Sequence, residues 1–211
     1  MRSSPYATTP RGARVPGRVR GVAFEARYAP GAEHVIVTET DGHTLAADGV
    51  VVAMLDSGPG RIAYDLATDA TGGTRRLSVR VDDPRGSWRV VLGSDGGGQW
   101  WEGDRRPRPD LAGGIDVDIT VTPLTNTLPI RRLRLPAGGS AEILAVYVNV
   151  DARTVTAVPQ RYTHLDGAGL AGRYRYEAGS FRADITVDAG GLVLDYPGYW
   201  RRMPPAEPPT P

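Results

Sequence analysis

Ile115-Asp116-Val117-Asp118-Ile119-Thr120-Val121-Thr122-Pro123-Leu124-Thr125-Asn126-Thr127-Leu128-Pro129-Ile130-Arg131-Arg132-Leu133-Arg134-Leu135 is the stretch whose reading decides the fold. Its first half alternates strictly, with Ile115, Val117, Ile119 and Val121 on one side and Asp116, Asp118, Thr120 and Thr122 on the other. That is the period of a β-strand. Pro123 and Pro129 bracket a polar connection centred on Asn126, a natural turn residue. Beyond Pro129 a second alternation sets Arg131, Leu133 and Leu135 opposite Ile130, Arg132 and Arg134. The stretch therefore predicts a wide β-hairpin with a file of carboxylates across from a file of guanidiniums. Most such files are solvated ladders worth roughly a few tenths of a kcal/mol per pair. The alternative is a polar ligand floor, where Arg131 or Arg132 clamps an anion and Asp116 or Asp118 accepts hydroxyl hydrogen bonds.

Outward from this stretch, short β-rich runs recur between turn signals. His34 to Thr40 is followed by Asp41-Gly42-His43, a tight hairpin signal because Asp-Gly supplies positive φ cheaply. Val50 to Leu55 is a continuous apolar run, as in a strand buried on both faces. Arg75 to Val81 and Phe181 to Val187 alternate cleanly, and Asp188 to Gly191 reads as the turn of a last hairpin. Arg153 to Val158 and Gln160 to Leu165 read as two strands. The cluster Gly93 to Gly98 lacks the Lys-Ser/Thr ending of a phosphate loop and reads as a hairpin turn. Adjacent Trp100 and Trp101 must point to opposite faces, one toward the core.

Nothing sustains a 3.6-residue period, and 27 Gly with 18 Pro would interrupt most helices. The fold class expected is all-β: a single domain, residues 21–202, built as a strongly curled antiparallel sheet or open β-barrel of about a dozen strands. Residues 1–20, rich in Arg and Pro, and the Pro-rich tail 203–211 read as disordered extensions.

Composition removes several functions. All 25 basic residues are Arg, so there is no Walker lysine and no Schiff-base lysine; Cys 0 removes thiol nucleophiles and thiolate metal sites. His34, His43 and His164 are isolated and read as surface or turn residues, not zinc ligands. No Gly-x-Ser-x-Gly elbow occurs. A net charge of +1 argues against capture of nucleic acid, and no apolar run is long enough for a membrane helix. The N-terminus has no apolar core of a secretory signal, so a cytoplasmic protein without cofactor or metal is expected. Tyr162, Tyr174, Tyr176, Tyr196 and Tyr199 gather with Trp200 in the last third, an amphipathic set suited to sugar rings and headgroups at a cavity mouth, or to packing the sheet.

The runs Gly114 to Ile119 and Thr122-Pro123-Leu124-Thr125-Asn126-Thr127-Leu128-Pro129-Ile130-Arg131-Arg132-Leu133 resemble a bacterial family named for glycolipid binding and long catalogued as a domain of unknown function. The resemblance continues through Gln160 to Thr163, Tyr174 to Glu177, Gly191 to Pro197 and Trp200 to Arg202, with Leu124 where members usually have Phe. It implies a curved β-sheet remotely like periplasmic lipoprotein carriers and a role in glycolipid metabolism. The expected function is non-catalytic binding of an amphiphile, a glycolipid or lipid precursor, in a β-lined cavity. Its ligand residues would come from Asp116, Asp118, Asn126, Arg131, Arg132, Tyr162, Tyr174, Tyr176, Tyr196 and Trp200. Two other readings stay open: an enzyme on a sugar or glycolipid with Asp116 and Asp118 as acid and base, and an interaction module using a sheet edge.

Overall fold

The computed structural model describes residues 17–40 and 44–204. Fifteen strands follow in order: β1 (Arg18–Ala26), β2 (Gly31–Thr40), β3 (Thr44–Leu55), β4 (Gly58–Thr68), β5 (Thr74–Asp83), β6 (Gly86–Ser94), β7 (Trp100–Glu102), β8 (Arg106–Pro107), β9 (Asp116–Ile119), β10 (Ser140–Asn149), β11 (Thr154–Ala168), β12 (Ala171–Ala178), β13 (Phe181–Val187), β14 (Val193–Tyr196) and β15 (Trp200–Arg202). They form one all-β sheet in the order 8-7-6-5-4-3-2-1-15-14-13-12-11-10-9, in which β1 joins two meanders by pairing antiparallel with β15.

The decisive stretch is a strand, but not a hairpin. β9 pairs parallel with β10, and the chain between them makes a 3-10 turn (Leu124–Asn126) running into helix α1 (Thr127–Leu133). Parallel neighbours need a crossover of a dozen or more residues, which a hairpin loop does not supply. The second alternation that suggested a return strand is this helix. Pro123 and Pro129 sit in the first turn of each short helical element, where a missing N–H costs least. Arg134 ends the helix in the left-handed conformation (φ 45°), its N–H donating to the Ile130 carbonyl at 3.2 Å.

Every residue from Thr122 to Arg131 is buried. Leu124, Leu128 and Ile130 belong to the same core cluster as the inward side chains of the wall, Phe24, Val35, Val37, Ile62, Leu66, Leu77 and Val79 among them. The crossover is therefore a plug inside the curled sheet. It fills an interior too wide for wall side chains in a chain holding two Phe.

The sheet does not close by a ladder. The two meanders are instead laced together across the opening: the Thr74 N–H donates to the Ile115 carbonyl at 3.1 Å and the Gly113 N–H to the Gly98 carbonyl at 2.9 Å. Arg153 reaches Asp83 (2.7 Å) and the Gly86 carbonyl (2.6 Å), Arg85 reaches the Asp151 carbonyl (2.7 Å), and the Asp56 N–H donates to the Asp151 carboxylate (2.9 Å).

Other local expectations divide. The hairpin turns at Gly93 to Gly98 and Asp188 to Gly191 are present, and Trp100 is core while Trp101 is only partly covered. β3 is not buried on both faces: Val52 and Met54 are exposed, because outside the barrel nothing covers it. The two strands anticipated around Pro159 are one, β11, and β1 begins before residue 20. Asp41 to His43 and residues 1–16 and 205–211 lie outside the described residues.

Leu124 has no exposure and touches the core from within the plug. Leu124→Ala is expected to lower unfolding free energy by about 3 kcal/mol, whereas Val52→Ala on the outer face should change it by less than about 0.5 kcal/mol. Urea unfolding of both variants checks this; equal effects would mean that the plug is not core.

Candidate functional site

A cavity of about 530 Å³ lies between the plug, β9 and the ends of β10–β15. Its polar lining is Asp118 of β9, Thr120 just after it, Thr122 and Asn126 of the plug, and Gln160 of β11. Its walls are aromatic: Tyr147, Tyr176, Phe181, Tyr196, Tyr199 and Trp200. The rings contact one another in a chain, Tyr176 to Phe181 at 5.9 Å between centroids, Phe181 to Tyr199 at 5.4 Å, and Tyr199 to Tyr196 at 5.3 Å. Such tilted and edge-on contacts hold rings in place while leaving faces for a ligand.

Among the described residues, Asp118 is the only charged one lining this cavity. Its carboxylate accepts hydrogen bonds from Gln160 Nε2 (2.7 Å), Thr125 Oγ1 (3.1 Å) and the Tyr176 hydroxyl (3.2 Å), all neutral donors. Burial pushes its carboxyl above the usual range, and the three hydrogen bonds offset only part of that. Burial also raises the Tyr176 and Tyr196 phenols, with the nearby Asp118 charge adding to the effect, so both stay protonated donors. Behind the cavity the Tyr162 hydroxyl donates to Asn126 Oδ1 at 2.9 Å and fixes how the amide presents itself.

Of the ten anticipated ligand residues, Asp118, Asn126, Tyr176, Tyr196 and Trp200 line the cavity, and Tyr162 supports it. Asp116 and Arg132 do not. Arg132 grips Asp116 through Nε (3.1 Å) and Nη2 (2.6 Å), an ion pair that ties α1 to β9. The solvated ladder is overturned with the hairpin: Asp116 is 1% exposed, and its partner comes from the plug instead of a facing strand. An acid–base pair of Asp116 and Asp118 is not assembled, since Asp118 alone opens on the cavity. Arg131 faces elsewhere, bonded to Glu39 (3.0 Å) and the Gly190 carbonyl (2.9 Å). Tyr174 stacks on His164 at 4.3 Å and 3°, away from the cavity. His164, expected at the surface, is buried, with Nδ1 2.8 Å from the Leu135 carbonyl.

Gln160, Thr125, Tyr147 and Phe181 were not anticipated as ligand residues, and Tyr199, read with the aromatic set but left out of the ten, lines the cavity. Gln160 shares its strand face with Tyr162, a signal readable from alternation once Tyr162 is placed inside. Glu33 was also passed over, although it alternates with Val35 and Val37. It stands buried in the wall and accepts hydrogen bonds from the Tyr64 hydroxyl and, at 2.7 Å, from Thr122 of the plug. Burial raises its carboxyl to about 7, although both donors pull it down. Glu33 Oε2 has no partner, which suits a neutral acid.

Residues 22–202 match the family described as "Putative glycolipid-binding". The chain belongs to this family. A solved relative, a DUF1089 family protein from Pseudomonas aeruginosa, is 33% identical over 96% of this chain and 100% of its own, with a TM-score of 0.73. A β-barrel-like protein from the DUF1849 domain of unknown function, from Brucella abortus, is 12% identical over 89% of this chain and 95% of its own, with a TM-score of 0.48. No curated protein matches. The run Thr122 to Pro129, on which the resemblance rests, lies in the plug, so the most recognisable part of the sequence is the part that fills the barrel. Among the described residues no helix is long and apolar enough to cross a membrane.

The Glu33 proton gives a pH signature. The unfolded chain releases it near pH 4.5, while the folded protein keeps it to about 7. Between those values the folded state binds more protons, so stability falls as pH rises and levels off above about 7. The loss is about 3 kcal/mol at most. Glu33→Gln is expected to flatten the wild-type decline in Tm across that window. Parallel pH profiles for wild type and variant would sink the assignment.

Proposed function

We propose that the protein binds a glycolipid-type amphiphile without transforming it, with its sugar against the polar lining of the aromatic cavity and its apolar part along the rings. One observation carries this reading: a half-buried carboxylate held by three neutral donors lines an aromatic cavity with no cation among its described lining residues. Carboxylate, amide and phenol groups suit the hydroxyls of a neutral sugar, while an anionic headgroup would meet Asp118 unscreened. Aromatic faces suit both pyranose rings and acyl methylenes. The volume of about 530 Å³ falls inside the usual range for small-molecule sites. The family description points the same way. Clamping of Asp116 by Arg132 removes the second carboxylate that hydrolysis by an acid–base pair requires.

Native mass spectrometry of the purified protein, followed by organic extraction, tests the reading. A stoichiometric lipid with an uncharged glycosyl headgroup is expected. Asp118→Asn and Trp200→Ala should each reduce its retention by about tenfold, near 1.4 kcal/mol. Asp116→Asn should lower thermal stability and leave retention of the folded fraction unchanged. Retention indifferent to Asp118 and Trp200, or turnover of the bound lipid, would overturn it.

A further inference from the structure

At the opposite end of β11–β13 a second cleft of about 790 Å³ opens, sharing no lining residue with the aromatic cavity. The start of β1 supplies Arg18 and Arg20, the end of β2 Glu39, and the exit of the plug Arg131 and Arg134. His164 and the turns after β11 and β13, with Asp188, complete it. Four arginines thus face two carboxylates, a local excess of two positive charges in a chain whose net charge is +1.

Both carboxylates are engaged. Asp188 Oδ1 accepts the N–H groups of Gly190 (2.8 Å) and Leu192 (3.0 Å), and Oδ2 accepts Arg202 (2.7 Å). Glu39 Oε1 accepts Arg131. Arg20 stands 3.8 Å from each acid, close enough for attraction and too far for a hydrogen bond. Its Nε is buried with no partner. Arg18 and Arg134 have no acidic partner among the described residues, and both are exposed at the cleft rim. Arg134 is brought there by a left-handed residue at the helix end, where Gly is the less strained choice. Gly190 lies against the Arg20 guanidinium, where an added Cβ would come within 3.1 Å of Nη1.

We propose that this cleft is a binding site for a phosphate group, with Arg18, Arg20 and Arg134 as its ligands. A phosphate dianion matches the excess of two charges, and guanidinium forks bind its oxygens in pairs. The site is independent of the glycolipid reading, because it uses the other mouth of the barrel. The phosphate belongs either to a soluble phosphoester or to a phospholipid headgroup.

Calorimetric titration of the full-length protein with inorganic phosphate at low salt, together with amide NMR spectra, tests the site. Saturable binding that shifts the amides of Gly169 and Gly190 and not those of Tyr176 and Tyr196 is expected. Arg18→Gln/Arg134→Gln should weaken it by about tenfold or more. Arg61→Gln/Arg89→Gln, which removes the same charge from exposed positions outside the cleft, should leave it within about twofold. If the cleft variant fails to fold, the wild-type amide shifts decide alone. In a second arm the protein is sedimented with phosphatidylcholine vesicles with and without phosphatidic acid. Binding to phosphatidic acid that free phosphate displaces identifies a lipid headgroup; phosphate binding without vesicle binding identifies a soluble phosphoester. Absence of both, amide shifts elsewhere, or equal weakening in the two double variants overturns the proposal.

Discussion

The structure depends on burying a polar, proline-bracketed segment inside a β-wall. Thr122 to Arg131 is buried throughout, so its hydroxyls, amide and guanidinium require partners that the surrounding strands must supply. Glu33 takes Thr122, Asp118 takes Thr125, and Tyr162 takes Asn126. Where the segment emerges, Glu39 and Asp116 receive Arg131 and Arg132. All of these bonds except Asp118 to Thr125 join residues 16 or more positions apart, so the plug holds together a sheet whose ends do not pair.

The same constraint explains why the two openings differ. The plug divides the interior and carries Arg131 and Arg134 toward one end, where they meet Arg18 and Arg20 of β1. The other end keeps Asp118 and Asn126 among the rings of β12–β15, with no cation among the described lining residues. Arginines that looked from pattern like partners for the Asp116 file therefore serve two separate purposes. One holds the helix to β9, and the other stands in the basic cleft.

The aromatic lining follows from strand ends. Tyr176, Phe181, Tyr196 and Tyr199 come from the last residues of β12 and β14, the first of β13 and the turn before β15. Neighbouring antiparallel strands bring these ends together, so residues scattered over the last third converge on one mouth. Tyr174, two residues before Tyr176 on the same inner face, is carried about 7 Å further along, and that is enough to place it beside His164 instead.

Alternation and turn chemistry, both local properties, were enough to determine the β class, most strand positions and the aromatic character of the C-terminal third. The quoted stretch was enough to place the chain in its family. Only tertiary structure decided what that stretch does. A helix of seven residues, the first five of them buried, is too short and too covered to show an amphipathic period, and its proline reads as a turn residue. The period-2 pattern of Asp116 and Asp118 is the same whether the face is wet or dry; burial within the barrel makes it dry. Which carboxylate is clamped and which opens on a cavity rests on contacts with Arg132, Gln160 and Tyr176, residues 16 to 58 positions away. No local pattern carries that information, because the partners are chosen by how the sheet curls around its plug.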